Sequence, residues 1–455
     1  MQRAIRPGAG PEPSDVRIVV LNYNGGELTE QCLRHLRQVE LARGEVQLVC
    51  LDNGSTDGSI ERVEEGFPDV EVRRLGHNGG FTANNAGLED LEGIRYVGLL
   101  NNDAFAEPGW LQPLVDALDD DPALGAVSSK LVLAPRFRSV AVQAPPFDPG
   151  PTDRRTLGVM VRGAEVDGVD VWHDAHLGEG GWGREVDRQG PFEWSRPDAV
   201  VRVPVPDDDR PVEVVLTLQA RSEVTVVLDG GDGPVEVAVG PTPTRVGVTV
   251  TSPSYDVLNN VGSIVFDDGA GADRGWLERD EGQYDEPAEV FAWCGGSVLL
   301  RPEYLRDVGL LDERFFLYYE DTDLSWRGRA RGWRYRTEPT SVARHVHAAS
   351  SGEGSEVFAF HVERNRLLML VKDAPWRLAL AQVWRYLLVS ASYGRRDVVR
   401  PVLGARRPDV LVVRRRARSF AGFLRLLPAM LADRRALRRR QLVSDAELQA
   451  WLVRR

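Results

Sequence analysis

Three predicted strands in this sequence end on polar residues of the kind that bind nucleotides. The endings are Asp52 after Val46–Leu51, Asn78-Gly79 after Val70–Leu75, and Asn101-Asn102-Asp103 after Tyr96–Leu100. In an open α/β sheet, ligands bind beyond the carboxyl ends of the strands. We therefore expect the three endings to line one crevice that accepts a nucleoside diphosphate.

Each ending also has a structural alternative. Asp52 can accept a hydrogen bond from a base or ribose, or it can simply form the turn. Asn78 and Gly79 offer backbone that a ligand can approach closely because glycine has no Cβ, or they form an ordinary loop. Asp103 places a carboxylate at the edge of the sheet, and hard divalent cations bind oxygen ligands of this kind. A capping role for Asp103 is disfavoured because the next predicted helix begins only at Pro108.

A second acidic cluster follows a run of apolar and aromatic residues, Phe315–Tyr319. Glu320 and Asp321 come directly after this run, and burial together with mutual repulsion raises the pKa of carboxyl groups and prepares a general base. Asp323 can instead pair with Arg327 at the start of a helix. The two readings are compatible, with Asp323 structural and Glu320 or Asp321 chemical.

Two histidines, His345 and His347, follow another predicted strand, Tyr335–Ala343. Alternate positions of a strand face the same side, so either histidine is a candidate metal ligand. The spacing is a weak signal by itself.

The order of the elements predicts an α/β protein with an insertion. Strand-like and helical runs alternate over residues 15–138 and 255–375, which indicates a Rossmann-like, mostly parallel sheet. Residues 139–254 combine Val-rich alternation with turns at a spacing of about 8–12 residues, which is typical of an inserted all-β sandwich. Residues 376–455 predict a basic, amphipathic helical tail, and residues 1–14 are expected to be disordered.

The net charge of −12 conceals an asymmetry, because residues 376–455 contain 19 Arg and only 5 acidic residues. A basic region rich in Leu and Val favours an anionic membrane surface over nucleic acid, the alternative being solvated helix faces. The best apolar stretch, Leu378–Val389, is interrupted by Arg385, so we expect peripheral contact without a membrane span. Scattered cysteines and the lack of an apolar leader predict a cytoplasmic protein on the inner face of the cell membrane.

Two common nucleotide-binding motifs are missing from the sequence. It contains no G-x-x-x-x-G-K-[ST] loop, and the turn after the first strand, residues 22–26, is not G-x-G-x-x-G. These observations weigh against kinase-like ATPases and dehydrogenases.

Taken together, five ordered motifs resemble family 2 glycosyltransferases of the GT-A fold. The motifs are VVLNYN at 19–24, LDNGS at 51–55, NGGF at 78–81, LNND at 100–103 and YEDTDL at 319–324. The likeness covers residues 15–135 and 255–372 and points to bacterial rhamnosyltransferases and galactofuranosyltransferases. It implies inverting transfer of a sugar from a nucleoside-diphosphate sugar to a hydroxyl of a glycan or lipid-linked acceptor in cell-envelope polysaccharide synthesis.

The resemblance also implies roles for the motif residues. It assigns binding of the nucleoside-diphosphate sugar, the donor, to Leu21, Asn22, Asp52, Asn78, Gly79, Asn101 and Asn102. Asp103 matches the last position of the family's D-x-D motif, whose first position is Asn101 here. His345, with His347 as the fallback, matches a histidine that completes the shell of a divalent cation, Mg²⁺ or Mn²⁺.

The same likeness assigns the reacting hydroxyl to the second acidic cluster. Asp321 matches the catalytic base, with Glu320 beside it. The acceptor side is assigned to Gly295, Gly296 and Trp293, whose ring would be available to stack on a sugar.

Two rival functions stay open. A sugar-nucleotide nucleotidyltransferase shares this type of sheet, but it needs a cationic loop after the first strand, and NGGE at 24–27 holds no cation. A polysaccharide-binding protein with an inactive transferase domain would keep its role after Asp321→Asn.

Two other segments have alternative interpretations. Arg364-Asn365-Arg366 is expected either to contact phosphate or to be solvated helix charge. In the insertion, Trp172, Trp182 and Trp194 are expected in the sandwich core rather than in a carbohydrate platform.

Overall fold

The computed structural model describes residues 15–150, 153–208, 210–346, 355–404 and 407–454. The chain divides into two compact units: the first runs to Val132 and includes Asn259–Trp276 and everything from Gly282, and the second comprises Leu133–Leu258 and Leu277–Glu281. The second unit thus extends beyond the predicted limits of 139 and 254. The predicted disorder of residues 1–14 lies outside the described residues.

The first stretch of the first unit alternates strands and helices. Its elements are β1 (Asp15–Asn22), α1 (Gly26–Leu36), β2 (Val46–Asp52), α2 (Ser59–Gly66), β3 (Glu71–Arg74), α3 (Asn85–Leu88), β4 (Ile94–Asn101), β5 (Ala104–Ala106), α4 (Leu111–Asp120) and β6 (Leu124–Leu133), with a 3₁₀ turn at Gly80–Asn84. β1 and β6 are buried along most or all of their length. Near-continuous burial is expected of strands that are covered on both faces of a sheet.

The second unit is all-β. Its strands are β7 (Arg136–Gln143), β8 (Met160–Val166), β9 (Val169–Asp170), β10 (Gly181–Asp187), β11 (Gly190–Ser195), β12 (Asp198–Val205), β13 (Val212–Gln219), β14 (Val224–Asp229), β15 (Pro234–Val239) and β16 (Thr244–Val250). They form one sheet in the order β10-β11-β8-β13-β16 and another in the order β12-β7-β14-β15. Alternate residues of both sheets meet in one core, which is the packing of a β-sandwich.

Two of the three tryptophans of the second unit lie in its interior. Trp172 and Trp194 are only 7% and 4% exposed. Trp182 is partly exposed and has the guanidinium of Arg196 over its ring, 4.7 Å from the centroid. These three rings therefore form no open platform for a sugar.

The chain then completes the first unit. The remaining elements are β17 (Leu258–Asn260), β18 (Ser263–Val265), β19 (Gly271–Asp273), β20 (Ala288–Glu289), β21 (Ser297–Leu300), α5 (Pro302–Val308), α6 (Glu320–Ala330), β22 (Arg334–His345), α7 (Glu356–Lys372), α8 (Trp376–Tyr393), α9 (Arg400–Leu403), α10 (Leu411–Arg440) and α11 (Asp445–Ala450), with a π-helical turn at Gly394–Val399.

The sheet of the first unit is mixed. Its main path is β20-β22-β6-β21-β4-β1-β2-β3. β3, β2, β1 and β4 are parallel to one another, whereas β21 lies antiparallel between β4 and β6. The predicted α/β fold with an inserted β-sandwich and a C-terminal helical region is confirmed, but only half of the sheet is parallel because the strands added after the insertion return antiparallel.

The C-terminal helices pack onto this sheet domain. Residues of α7, α8, α10 and α11 share one apolar cluster that includes Leu367, Ala379, Phe423 and Leu448. Among the described residues, none of the helices combines the length and the hydropathy needed to cross a bilayer.

Candidate active site

The carboxyl ends of β1, β2 and β4 lie side by side. Parallel pairing aligns Leu21 with Asn101 and Asn22 with Asp52. β3 continues the same edge, since Arg74 is aligned with Asp52. The structure therefore brings the three predicted endings to one edge of the sheet.

Asn22 is fully buried, and its side chain is engaged within the protein. Its amide nitrogen donates to Ser55 Oγ at 3.1 Å and to Ser59 Oγ at 2.8 Å. Its amide oxygen accepts hydrogen bonds from the Gly25 nitrogen at 3.2 Å and from Thr29 Oγ1 at 2.7 Å. Because a primary amide has two donor hydrogens and two acceptor lone pairs, the Asn22 side chain is fully satisfied and fixes the turns after β1 and β2. Contact of Asn22 with the nucleoside-diphosphate sugar stays a prediction.

Sequence reasoning misses Asn53, which orders the loop beside Asp52. The Asn53 side chain donates to Asn78 Oδ1 at 3.0 Å and to the Gly80 oxygen at 3.1 Å, and it accepts from the Gly79 nitrogen at 2.8 Å. Its position next to Asp52 at a strand end was the available signal. The predicted donor residues Asn78 and Gly79 thus lie against the end of β2.

Asp52 itself forms the turn. Its Oδ1 accepts a hydrogen bond from the Ser55 nitrogen at 3.0 Å, and the residue is 4% exposed. The structural alternative for Asp52 is realised, and contact of Asp52 with a base or ribose stays a prediction.

The two predicted metal ligands are brought together. β5 pairs with the end of β22, so that Ala104 lies opposite His345. Asp103 Oδ1 lies 3.1 Å from His345 Nε2, and His345 Nδ1 lies 2.9 Å from Asn259 Oδ1. The side chains of Asp103 and His345 are 8% and 12% exposed. His347 lies outside the described residues.

The two asparagines before Asp103 point to different partners. Asn101 Nδ2 lies 3.4 Å from His345 Nε2, so this amide borders the Asp103–His345 pair. Asn102 Nδ2 donates to Thr29 Oγ1 of α1 at 3.0 Å. Asn101 is therefore placed at the site, whereas the Asn102 amide is turned toward α1.

Two consecutive glycines join the end of β4 to the second acidic cluster. The Gly296 oxygen accepts from the Asn101 nitrogen at 3.1 Å, and the Gly295 nitrogen donates to Asp321 Oδ2 at 3.3 Å. A Cβ on Gly295 would be 2.7 Å from the Phe81 ring, so glycine is needed for this approach. The structure thus unites the strand-end residues and Asp321, which the sequence separates widely, in one region.

Trp293 does not lie on an acceptor surface. Its side chain is fully buried in the core beside Tyr304 and Leu324, and its Nε1 donates to Tyr304 Oη at 3.3 Å. The expected stacking of Trp293 on a sugar is corrected. The ring is buried in the core, where its apolar surface is removed from water, and it is not accessible to a sugar. Gly295 and Gly296 remain predicted acceptor-side residues.

The segment before Glu320 has an unusual backbone. Phe316, Tyr318 and Tyr319 have φ angles of 67°, 67° and 72°. Left-handed conformations are costly for bulky residues and persist only where the surroundings enforce them. This segment, Phe315–Tyr319, is called the strained loop below.

Asn365 of α7 holds the strained loop. Its Nδ2 lies within hydrogen-bond distance of three carbonyl oxygens, those of Phe315 (2.9 Å), Leu317 (2.8 Å) and Tyr318 (2.7 Å). Arg364 also donates to the Phe315 oxygen at 2.9 Å. Asn365 is fully buried and Arg364 is 6% exposed, so neither is the solvated charge or phosphate contact that was expected. Nothing in the local sequence marks Asn365 as a clamp.

Glu320 and Asp321 begin α6 in a desolvated environment. Burial raises the pKa of Asp321, although hydrogen bonds from Thr322 and Gly295 to its carboxylate oppose the shift. Burial, reinforced by the charge of Asp321, raises the pKa of Glu320 well above its usual range. Glu320 Oε2 is buried without a hydrogen-bond partner. Asp321 is therefore the one of the pair that ionises first and can accept a proton.

Asp323 has the structural role that its spacing predicts. Its Oδ2 accepts from Arg327 Nε at 2.8 Å, and its Oδ1 lies 2.7 Å from Lys372 Nζ. Lys372 Nζ also donates to Asp312 Oδ2 at 2.7 Å. This buried ion network anchors α6 to α7 behind the acidic pair.

Part of the sequence is similar to known proteins. Residues 17–132 match the family model described as glycosyl transferase family 2. Two curated relatives, N-acetylglucosaminyl-diphospho-decaprenol L-rhamnosyltransferases of Mycobacterium tuberculosis strains CDC 1551 / Oshkosh and ATCC 25618 / H37Rv, are 34% identical over 112 residues. That alignment covers 24% of this chain and 36% of each relative. The chain therefore spans about a third of the length of the curated relatives it matches.

Two solved structures have a chain path that is similar in part. A crystal structure of GalNAc-T7 with UDP, GalNAc and Mn²⁺ has a TM-score of 0.43 and 12% identity, covering 93% of this chain and 57% of that chain. Staphylococcus aureus TarS 1–349 has a TM-score of 0.40 and 11% identity, covering 96% and 89% of the two chains. Over residues 17–132, this chain is therefore similar to family 2 glycosyltransferases.

Proposed function

We propose that this protein transfers a sugar, with inversion, from a nucleoside-diphosphate sugar to a hydroxyl of a glycan or lipid-linked acceptor in cell-envelope polysaccharide synthesis. The observation that carries the proposal is Asp321, a desolvated carboxylate held by the Gly295 nitrogen at 3.3 Å. The Gly295 contact links Asp321 to the edge of the sheet where β2 ends on Asp52 and β4 ends two residues before Asp103. Both strands lie in the stretch that matches the family 2 glycosyltransferase model.

The proposed chemistry begins with proton transfer. Asp321 accepts the proton of the acceptor hydroxyl while the hydroxyl oxygen attacks C1 of the sugar and the nucleoside diphosphate leaves from the opposite face. Burial makes Asp321 a stronger base by raising its pKa. The hydrogen bonds from Gly295 and Thr322 fix the direction of the carboxylate.

Asp103 and His345 fit a divalent cation, Mg²⁺ or Mn²⁺. In the tautomer of His345 that donates its Nδ1 hydrogen to Asn259 Oδ1, the Nε2 lone pair faces Asp103 Oδ1, 3.1 Å away. Two lone pairs this close favour a positive charge between them, and the Asn259 contact is the outer-shell support common to metal-bound histidines. The bound cation would neutralise charge on the leaving diphosphate.

The donor itself would complete such a site. Within the described ranges, no cluster of three or more His, Cys, Asp or Glu side chains is arranged to hold a metal ion. Mg²⁺ is commonly held by one or two protein ligands together with substrate phosphates and water. Asp103 and His345 are therefore sufficient protein ligands when the diphosphate is present.

We further propose that the protein works as a peripheral protein on the inner face of the cell membrane, with no nucleic-acid partner. Support comes from the basic helices α8 to α10, whose exposed side chains include Trp384 at 62% and Leu388 at 53%. Such a mixture of exposed apolar and Arg side chains favours an anionic lipid surface.

The test is turnover of UDP-, dTDP- and GDP-sugars by the wild type and by Asp321→Asn, with Mg²⁺, with Mn²⁺ and with chelator. We expect one donor class to be consumed, at a rate about 10²–10⁴-fold lower in Asp321→Asn, with nucleoside-diphosphate binding unchanged. Equal turnover by both proteins would contradict the role of Asp321. Release of diphosphate from a nucleoside triphosphate and a sugar phosphate would instead favour the nucleotidyltransferase.

A further inference from the structure

Two exposed arginines of the second unit lie over one aromatic cluster. The cluster contains Phe147, Trp182 and Trp194. The guanidinium carbon of Arg196 lies 4.7 Å from the centroid of the Trp182 ring. That of Arg221 lies over two rings, 5.5 Å from the Phe147 centroid and 5.9 Å from the Trp194 centroid. Both arginines are exposed to solvent. We call these five residues the arginine–aromatic patch.

Strand pairing brings the two arginines to the same end of one sheet. Trp194 of β11 and Gln219 of β13 are both aligned with Met160 of the intervening strand, β8. Arg196 and Arg221 each follow two residues after these positions. Since β11 and β13 both run antiparallel to β8, they leave the sheet in the same direction. The two guanidinium groups therefore belong to one surface.

Other arginines of the unit are held by carboxylates instead. Arg155, Arg162 and Arg210 each form an ion pair with an aspartate. Among the residues that the structure describes, neither Arg196 nor Arg221 forms an ion pair or a side-chain hydrogen bond. A ring contacts a guanidinium group through its flat face, and the five N–H donors lie in the plane of the group. The donors of both arginines thus remain available to an anion.

We propose that the arginine–aromatic patch binds carboxylate groups of an acidic polysaccharide. Guanidinium groups bind carboxylates through pairs of parallel hydrogen bonds. The rings hold Arg196 and Arg221 in place before the ligand arrives, which reduces the entropy lost on binding. The ligand contacts the edges of the guanidinium groups and not the faces of the rings, so the patch needs no open tryptophan platform.

The charge around the patch favours this class of anion. Residues 133–258 contain 12 Arg and 20 Asp or Glu. Nucleic acids and anionic membranes carry closely spaced charges over a large area, which would meet the surrounding carboxylates. An acidic polysaccharide carries its carboxylates on separate sugar units and can reach two arginines without that repulsion.

The choice of a glycan over an acidic peptide rests on the proposed glycosyl transfer. Both units belong to one chain, so a glycan bound by the second unit is kept at a raised effective concentration for the first. Binding to the patch itself requires neither a sugar donor nor a metal ion, and it can therefore be measured separately from turnover.

The test is calorimetric titration of the full-length protein with oligogalacturonate and with a neutral maltodextrin of the same length, without donor or metal. We expect the wild type to bind oligogalacturonate and not maltodextrin. Arg196→Gln/Arg221→Gln should weaken this binding about tenfold or more, because each arginine loses a charge-assisted contact. The matched control is Arg188→Gln/Arg210→Gln, which removes two exposed charges at the opposite ends of β11 and β13 and should leave the affinity nearly unchanged.

A second variant separates recognition from charge and from folding. Arg196→Lys/Arg221→Lys keeps both charges but cannot form paired hydrogen bonds, so it should bind more weakly than the wild type and more tightly than the Gln variant. The proposal is overturned if the wild type does not bind oligogalacturonate, if maltodextrin binds equally well, or if the two control positions matter as much as Arg196 and Arg221. Tighter binding of an oligoglutamate of the same length would overturn it in favour of an acidic peptide. A failed turnover assay with intact oligogalacturonate binding would contradict only the proposed glycosyl transfer.

Discussion

Asn365 donates its side-chain amide to the Tyr318 carbonyl oxygen at 2.7 Å, two residues before Glu320 at the start of α6. The bond joins α7 to the strained loop. This loop positions the proposed base, Asp321. Since Asn365 also contacts the oxygens of Phe315 and Leu317, one buried amide stabilises a backbone with three left-handed residues.

Asn365→Ala should lower both stability and catalysis. Leaving buried carbonyl oxygens without their donor costs about 1–3 kcal/mol of unfolding free energy. We expect kcat to fall by about 10²-fold, because small displacements of a reacting group have effects of this size, while the dissociation constant of the nucleoside diphosphate stays unchanged.

A matched control for that prediction is Asn85→Ala. Asn85 is also buried and exchanges hydrogen bonds with the backbone of Leu311, at 2.9 and 3.0 Å, outside the strained loop. The Asn85→Ala variant should lose about as much stability as Asn365→Ala, but its kcat should fall much less. Equal losses of kcat in the two variants would show that Asn365 acts only through general stability.

Gly80→Ala should disturb the packing of the donor-side loop on the strained loop. Gly80 has a φ of +67°, and a Cβ there would overlap the carbonyl oxygen of Phe316. We expect a loss of about 1–3 kcal/mol in the free energy of unfolding, measured by denaturant titration. Gly79→Ala is the control, since its Cβ would lie 3.4 Å from Ala83 Cβ at an ordinary φ, and a loss as large in this variant would contradict the explanation.

The pH dependence of turnover should report Asp321. Burial raises the pKa of Asp321 from its ordinary value, and a base works only when it is deprotonated. The rate should therefore fall as the pH drops through this raised pKa, and the acidic limb should lie above the pH at which an exposed aspartate titrates. A pH–rate profile of kcat/KM checks this, and an acidic limb at the ordinary aspartate pKa would contradict the assignment.

Asn259→Ala should weaken Mn²⁺ binding without removing a ligand. Asn259 holds His345 Nδ1 at 2.9 Å, and loss of such outer-shell support typically reduces metal affinity about 10–100-fold. Titration of Mn²⁺ by electron paramagnetic resonance, in the presence of a nucleoside diphosphate, gives the affinity independently of turnover. Unchanged affinity would show that His345 is not a ligand or needs no support.

Lys372→Met should be strongly destabilising. Lys372 Nζ lies 2.7 Å from both Asp312 and Asp323. Removing it takes a shared cation from two buried carboxylates, which then keep Arg314 and Arg327 as partners. Breaking a buried pair in this way costs up to about 3–5 kcal/mol. Lys130→Met is the comparison: the Lys130 side chain is also buried, at 7% exposure, but its partner Asp285 is 64% exposed. Water can solvate Asp285 when Lys130 is removed, so the loss of stability should be smaller than in Lys372→Met.

The same network predicts a loss of stability in acid. Burial alone would raise the pKa of Asp312, but the hydrogen bond from Arg314 and the charge of Lys372 outweigh it and hold that pKa below the ordinary range. A depressed carboxyl pKa stabilises the fold above the unfolded-state pKa, and this contribution is lost as pH falls toward the folded-state value. Unfolding titrations of the wild type and Lys372→Met should therefore converge as pH is lowered, and a constant difference would contradict the network.

The local pattern of apolar and polar residues was enough to predict the strand ends and the acidic pair, Glu320 and Asp321. Apolar runs that stop at Asp52 and Asn101 define both the strand and the place where it ends, because the hydrophobic pattern and the polar ending are read from adjacent residues. The spacing of Asp323 and Arg327 similarly fixed their ion pair, since residues four apart meet on a helix.

Only the tertiary structure decided which of these residues lie together at the site and which are buried in the protein interior. Asp103 and His345 come together because β5 pairs with the end of β22, far along the chain. Asn22 and Trp293 belong to the motifs but are buried, and burial of a polar or aromatic side chain depends on partners that a linear pattern does not contain. Asn365 holds three carbonyl oxygens because a helix from the far end of the domain packs against the strained loop, and such long-range packing leaves no mark on the sequence around either partner.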